Sequence, residues 1–227
     1  MSGIKLYYHI ISPPSRFALL TCKMLGLDIE EVEIDLLAGK QYTQEFRDIN
    51  PTQAVPALVD GDIKIFDSSA ISIYLVEKYA KDDSLYPKDL EMRTKVNERL
   101  FYVSSYLFPR GYSIIVGSIK GTMTEIPQDK INEVLRGYEC IEYFLKDNDY
   151  LTGPKFTLCD LFLWCIMESA NQILAIDENR FPNFSKWLNK VRNENEFFEL
   201  NKKGADFHID IFNKCLERNR QQAEKNE

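Results

Sequence analysis

Residues 50–71 read NPTQAVPALVDGDIKIFDSSAI, and this stretch decides the fold. Val55 to Val59 and Ile63 to Phe66 are two apolar runs on either side of Asp60-Gly61-Asp62. Glycine supplies positive φ at no steric cost, so the pattern specifies a β-hairpin turning on Asp60-Gly61 or Gly61-Asp62. Asp67 and Ser68 then offer side-chain oxygens at a helix start, followed by Ile71, Tyr74, Leu75 and Tyr79 on one face.

Upstream, Ile4 to Tyr8 is a short apolar run broken by one lysine, and it stops before Ser12-Pro13-Pro14. Two prolines cannot continue a strand but can open a helix, where a missing N–H costs nothing. Phe17, Ala18, Leu20, Met24 and Leu25 follow at helical spacing. Glu31-Val32-Glu33-Ile34-Asp35 alternates as a half-buried strand does, and Thr43 to Asn50 is polar and helix-like. The order β-α-β-α-β-β-α, with a hairpin beside a βαβ unit, is the thioredoxin-like layout. It assigns residues 1–80 to an α/β domain.

Downstream, residues 81–91 (KDDSLYPKDLE) are polar, contain Pro87 and read as a linker. Residues 92–217 carry only helical signals, which makes the second domain all-α. Thr157-Leu158-Cys159-Asp160 opens an apolar helix with an acidic capping box, in which the aspartate reaches back to the cap's own N–H. Pro182 precedes another helix through Trp187 and Val191. Residues 218–227 are nearly all charged or amide and are expected to fray.

Composition narrows the function. The chain has 227 residues, 44% hydrophobic and 28% charged, with a net charge of -7. That balance is ordinary for a soluble globular protein and lacks the basic stripe a nucleic-acid partner requires. Leu100 to Ile119 carries a single charge, Arg110, but its serines, glycines and Pro109 make it too polar for a membrane span. Five cysteines with no CxxC spacing, and only His9 and His208 beside them, give neither a zinc pattern nor a disulfide framework. No metal site is expected. Reduced thiols and the absence of a secretory leader in the first residues point to the cytoplasm.

Three places could carry chemistry in this layout. Ser12-Pro13-Pro14-Ser15 stands where redox members of the fold hold CxxC, so disulfide exchange has no nucleophile. A serine hydroxyl at a helix mouth is most simply a cap, yet with unpaired N–H groups and the dipole it also suits an anion such as a thiolate. Asn50 to Pro56 enters a strand through a proline whose cis form would turn the backbone of Val55 toward a cleft, where an extended peptide could pair with it. Asp67-Ser68-Ser69 suits a carboxylate through N–H and hydroxyl donors, and an ammonium through Asp67. Together they describe a pocket for a small peptide bearing a thiol, a carboxylate and an amine.

SPPSR at 12–16, NPTQAVP at 50–56, DSSAI at 67–71, LYP at 85–87 and TLCD at 157–160, in register over almost the whole chain, resemble the cytosolic glutathione transferases, most closely the insect epsilon class. The resemblance implies a homodimer that conjugates glutathione, its co-substrate, to hydrophobic electrophiles of xenobiotic or endogenous origin. Ser12 then resembles the catalytic serine, Val55 the residue pairing main chain to main chain with the tripeptide, and Pro56 the family's cis-proline. Gln41, Gln53, Ala54 and Ser69 join Asp67 and Ser68 in the glutathione site. Ile11, Leu36, Phe108, Tyr112, Ile115 and Ile119 form the hydrophobic substrate site, and Thr157 and Asp160 the structural cap. Gln41, Gln53 and Ser69 stand where histidines are common in the epsilon pattern, and Tyr112 and Val116 where arginine and glutamate are frequent. The electrophile site is therefore expected to be more apolar than usual. A non-catalytic carrier of hydrophobic ligands such as steroids is the alternative within the family, and a scaffold module the alternative outside it.

Overall fold

The computed structural model describes residues 3–225. Strands β1 (Ile4–Tyr8), β2 (Glu30–Glu33), β3 (Ala57–Asp60) and β4 (Ile63–Phe66) form one sheet in the order β2-β1-β3-β4. β1 pairs with β2 in parallel, while β1–β3 and β3–β4 are antiparallel. Ala57 faces Phe66 and Asp60 faces Ile63, so the hairpin loop is Gly61-Asp62, with Gly61 at φ 60°. This settles the turn between the two choices the sequence allows.

Helix α1 (Pro13–Met24) crosses from β1 to β2, a 3₁₀ turn (Lys40–Tyr42) and the short α2 (Gln44–Arg47) lead to β3, and α3 (Ser68–Tyr79) follows β4. Ile4, Leu6 and Leu58 of the sheet pack with Ala18, Leu19 and Cys22 of α1 and Ile71 and Leu75 of α3. Each of the large side chains contributes about 1.5–3 kcal/mol by leaving water. The two helices are tied by a hydrogen bond from Thr21 Oγ1 to Ser72 Oγ, 3.0 Å, with both residues buried. The register of this small layer is thus set by both grease and one satisfied polar pair.

The second half is helical: α4 (Leu90–Tyr102), α5 (Phe108–Ile119), α6 (Gln128–Leu145), α7 (Leu158–Ile173), α8 (Pro182–Glu194) and α9 (Phe198–Glu224). α7 is apolar nearly all round, as a helix at the centre of a bundle must be, and it packs against both α1 and α9. The stretch Leu100 to Ile119 is not one regular helix. A π-helical turn at Val103–Leu107 joins α4 to α5, whose first turn contains Pro109. Proline has no N–H and its ring excludes the carbonyl four residues back, so the ladder shifts register just before it. Among the described residues, no helix is long and apolar enough to cross a membrane.

Two expectations change. The segment between the halves is polar but not loose: Tyr86 is buried and donates to Asn97 Oδ1, 2.9 Å, and the Leu158 N–H reaches the Leu85 carbonyl, 2.9 Å. The charged C-terminal run does not fray where it is described, because α9 stays helical through Glu224. Asn219 is buried and its Nδ2 donates to the carbonyls of Ser118 and Met123, both 2.8 Å. Arg218 reaches the Ile119 carbonyl at 3.0 Å and Arg220 the Thr124 carbonyl at 2.8 Å. Carbonyls at and just past a helix end lack the full set of helical partners, and α9 supplies donors to those of Ser118, Ile119, Met123 and Thr124. Residues 226 and 227 lie outside the described range.

Candidate functional site

Ser12 caps α1 with extended backbone geometry, φ -79° and ψ 116°. Its Oγ accepts the Ser15 N–H at 3.3 Å, its carbonyl accepts the Arg16 N–H at 2.9 Å, and its own N–H goes to the His9 carbonyl at 3.0 Å. Pro13 and Pro14 have no N–H to offer. The sequence reading expects unpaired backbone donors here, and that needs correction: prolines and cap bonds remove them all. Two hydroxyls remain in this first turn: that of Ser12, which has no acceptor among the described residues, and that of Ser15, buried and unpartnered.

The Val55–Pro56 peptide bond is cis. Asn50, buried, holds the preceding loop with Nδ2 on the Ala54 carbonyl (2.6 Å) and Oδ1 on the Thr52 N–H (3.0 Å). The Val55 N–H and C=O have no partner among the described residues. Unpaired backbone groups are rare away from water, so this half-buried pair is available to a ligand or solvent.

Asp67 caps α3, its Oδ1 accepting from the N–H groups of Ser69 (2.9 Å) and Ala70 (3.0 Å). Unlike α1, this helix begins with Ser68, whose N–H has no partner among the described residues. Ser68 and Ser69 are buried, and the Ser69 hydroxyl is unpartnered. Asp67 (φ 74°) and Gln53 (φ 55°) are the two non-glycine residues with positive φ among the described ones. Such geometry costs of order 1–3 kcal/mol and gathers at ligand sites. Gln41, partly buried just after Lys40, has an unpartnered Oε1.

The residues expected to form the hydrophobic substrate site divide. Phe108 and Tyr112 stack at 5.5 Å between ring centres, and Tyr112 and Ile119 are about half exposed. Ile11 and Leu36 are partly buried, whereas Ile115 belongs to the buried core of the helical half. Thr157 and Asp160 form the capping box of α7. Asp160 is fully buried and accepts from Thr157 N–H, Thr157 Oγ1, Leu151 N–H and Trp187 Nε1 at 2.8–3.1 Å. Burial still pushes its carboxyl up to about 6 against the pull of those donors. Among the described residues, no group of His, Cys, Asp and Glu could hold a metal ion. A concavity of about 400 Å³ lined by Leu145, Asn183, Trp187 and Lys190 contains none of these residues.

Sequence reasoning missed the support behind Ser12. Arg16 is buried on α1 and bonds the carbonyls of Ile10 and Ile11, and Gly204 of α9 packs against the Ile10 carbonyl. His9 Nδ1 accepts the Ile11 N–H at 3.2 Å. A visible signal existed: Arg16 is a charge at the head of the apolar run Phe17-Ala18-Leu19-Leu20.

Residues 2–77 match the family described as the glutathione S-transferase N-terminal domain, and residues 113–195 its C-terminal domain. Glutathione S-transferase 1 of Manduca sexta is 34% identical over 208 residues, 91% of this chain and 95% of that protein. An epsilon-class glutathione S-transferase from the housefly Musca domestica superposes with a TM-score of 0.90 at 35% identity, covering 93% of this chain and 98% of the other. A glutathione transferase homologue from Drosophila mojavensis, solved with bound glutathione, superposes with a TM-score of 0.88 at 33% identity, covering 96% and 98%. On both halves of the sequence and on the fold, the chain belongs to the glutathione S-transferase family, among relatives of the insect epsilon and delta classes.

Proposed function

We propose that the chain conjugates glutathione to hydrophobic electrophiles, with Ser12 activating the thiol. The observation that carries this reading is the uncommitted Ser12 hydroxyl at the mouth of α1, where no backbone N–H is left unpaired. A hydroxyl donated to a bound sulfur favours thiolate over thiol. A free thiol has a pKa near 8.5. Lowering it by about two units requires about 2.7 kcal/mol. A charge-assisted hydrogen bond of about 1.5–3 kcal/mol and a helix dipole of about 0.3–1 kcal/mol together reach that figure. The thiolate then forms a C–S bond to the electrophile, and in a substitution the leaving group departs with the bonding electrons.

The remaining groups suit the rest of the tripeptide. The unpaired Val55 N–H and C=O can hold its main chain as an added strand, with Ala54 and Pro56 shaping the approach. The Ser68 N–H and the Ser68 and Ser69 hydroxyls suit the γ-glutamyl carboxylate, and Asp67 its ammonium. Gln41 and Gln53 suit the glycyl end through amide donors that carry no titrating proton. Ile11, Leu36, Phe108, Tyr112 and Ile119 would wall the electrophile side, while Ile115 packs in the core of the helical half. By the habit of its relatives the enzyme is a cytoplasmic homodimer, with exposed Phe66, Leu90 and Phe101 as apolar surface for a partner copy.

The test is retention on immobilised glutathione with elution by the free tripeptide, followed by titration of the bound thiol in wild type and Ser12→Ala. Retention and a thiol pKa that rises in the variant are expected. An unchanged pKa and rate would remove the serine's role, and ligand quenching of tryptophan fluorescence with no conjugation across a panel of electrophiles would make the chain a carrier.

A further inference from the structure

Arg16 is 1% exposed, yet its side chain carries a full charge. The guanidinium has five N–H donors, and every one is used. Nε donates to Asn201 Oδ1 (2.8 Å), Nη1 to the carbonyls of Ile10 (3.0 Å) and Ile11 (3.1 Å), and Nη2 to the Cys165 carbonyl (2.7 Å) and Ser169 Oγ (2.9 Å). None of the five acceptors is a carboxylate. Glu168 of α7, the acid that acts on Arg16, is itself committed to Arg192 of α8 and to Trp164 Nε1. The other titratable neighbours are Cys165 of α7 and His208 of α9, and His208 is pushed down to about 4 by burial and by the Arg16 charge. A cation with no carboxylate among its hydrogen-bond partners is thus held inside the protein by neutral oxygens.

A leucine at this position would avoid the cost of burying a charge. What an arginine does, and a leucine cannot, is grip two consecutive carbonyls. Those of Ile10 and Ile11 belong to the turn that delivers Ser12, and the Ile11 carbonyl is part of the peptide group that ends at the Ser12 nitrogen. From the other side α9 closes in at Gly204, where a Cβ would lie 2.4 Å from the Ile10 carbonyl oxygen and 2.7 Å from Arg16 Cδ. The far ends of the fork rest on α7 and α9. The turn is therefore fixed to the helical half of the molecule and not only to its own sheet.

We propose that Arg16 is a positioning residue for thiol activation: by tying the carbonyls of Ile10 and Ile11 to α7 and α9 it holds the Ser12 hydroxyl where the sulfur arrives. This rests on the role given to Ser12 above. Preorganised geometry of this kind is sensitive to displacements of about 1 Å.

The experiment measures the pKa of the bound glutathione thiol by thiolate absorbance, with kcat and KM, in wild type, Ser12→Ala, Arg16→Lys and Asn201→Ala. Lysine keeps the charge but not the planar fork, and Asn201→Ala removes one anchor without touching the arginine. Arg16→Lys is expected to raise the thiol pKa by about one unit and lower kcat about tenfold, with KM for glutathione changed less than about threefold. Asn201→Ala should move the same quantities the same way by less. A purely structural arginine would lower thermal stability and leave thiol ionisation alone. Wild-type thiol pKa and kcat in folded Arg16→Lys overturn the proposal, and if that variant does not fold, the same result in Asn201→Ala overturns it. Where Ser12→Ala shifts the pKa but neither support variant does, the inference fails alone; where Ser12→Ala shifts nothing, both fail.

Discussion

The mouths of α1 and α3 are built from the same device and left with opposite resources. Each is capped by a side-chain oxygen, Ser12 Oγ on the Ser15 N–H and Asp67 Oδ1 on the Ser69 and Ala70 N–H groups. At α1 the first two helical residues are prolines, so capping leaves no backbone N–H and only the hydroxyls of Ser12 and Ser15. At α3 the first residue is Ser68, so an N–H and two hydroxyls survive. The Ser12 hydroxyl suits a single sulfur whose charge must be tuned, whereas a free backbone N–H with hydroxyls beside it suits a carboxylate that is always charged. Cap chemistry alone does not tell a binding mouth from an activating one. The residues just after the cap do.

A third mouth serves as the control. At α7 the cap carboxylate, Asp160, spends its acceptors on Thr157, Leu151 and Trp187 and has no opening to solvent. Asp160→Ala strands those buried donors, and the expected loss is about 4 kcal/mol of stability. Thermal unfolding checks it; a loss under about 1 kcal/mol would show that the cap does not hold the fold. The same group gives a pH signature. Its folded-state pKa of about 6 lies above the usual 3.8, so the folded protein takes up a proton first and Asp160 adds stability as pH falls from 6 toward 4. His208, lowered from 6.5 to about 4, acts in the opposite sense over that window, because the unfolded chain is protonated first. Relative to wild type, His208→Leu should tilt the stability curve toward greater stability in acid.

Ser12→Ala comes next, and it divides the two binding mouths most sharply. Removal of this hydroxyl should raise the bound thiol pKa by about two units and cut kcat about a hundredfold at neutral pH, with the affinity for glutathione little changed. Titration of the thiol in the complex checks it. A variant that loses affinity and keeps its thiol pKa would make α1 a binding mouth like α3. Ser68→Ala tests the converse. It should raise KM for glutathione about tenfold and leave thiol pKa and kcat near wild type, since one hydrogen bond to a charged group contributes about 1.5 kcal/mol.

Legibility followed the range of the forces involved. The hairpin, the cap at Thr157 and the helix starts at Ser12 and Asp67 were readable because each is fixed by residues within a few positions. The clamp on the Ser12 turn was not. Arg16 meets Asn201, Cys165 and Ser169, which lie 185, 149 and 153 residues away, and nothing local announces them. The end of α9 was misread for the same reason. A run such as Arg218-Asn219-Arg220 looks solvated until the carbonyls at and just past the end of α5 are brought beside it. The π turn before Pro109 sits between the cases: proline announces a disturbance, but whether the chain kinks, breaks or shifts register depends on what packs around it.

Pro14→Ala has the smallest expected effect and probes the comparison most directly, because it gives the α1 mouth part of what α3 has. The new N–H at the second helical position points toward the site from beside the Ser12 hydroxyl. Exposed donors at a helix start attract an anion by a few tenths of a kcal/mol to about 1 kcal/mol. The bound thiol pKa should therefore fall by about 0.3 unit below wild type. Losing a proline whose φ already fits the helix costs about 0.4–1 kcal/mol through the unfolded chain, or about 1–3 °C in Tm for a protein of this size. A thiol that becomes slightly more acidic in a slightly less stable protein would mean that the prolines set donor number, and that donor number sets what a helix mouth does. An unchanged thiol pKa in a folded variant would place the difference between the mouths in Ser12 and the Arg16 clamp behind it, and the prolines would be left with shaping the turn.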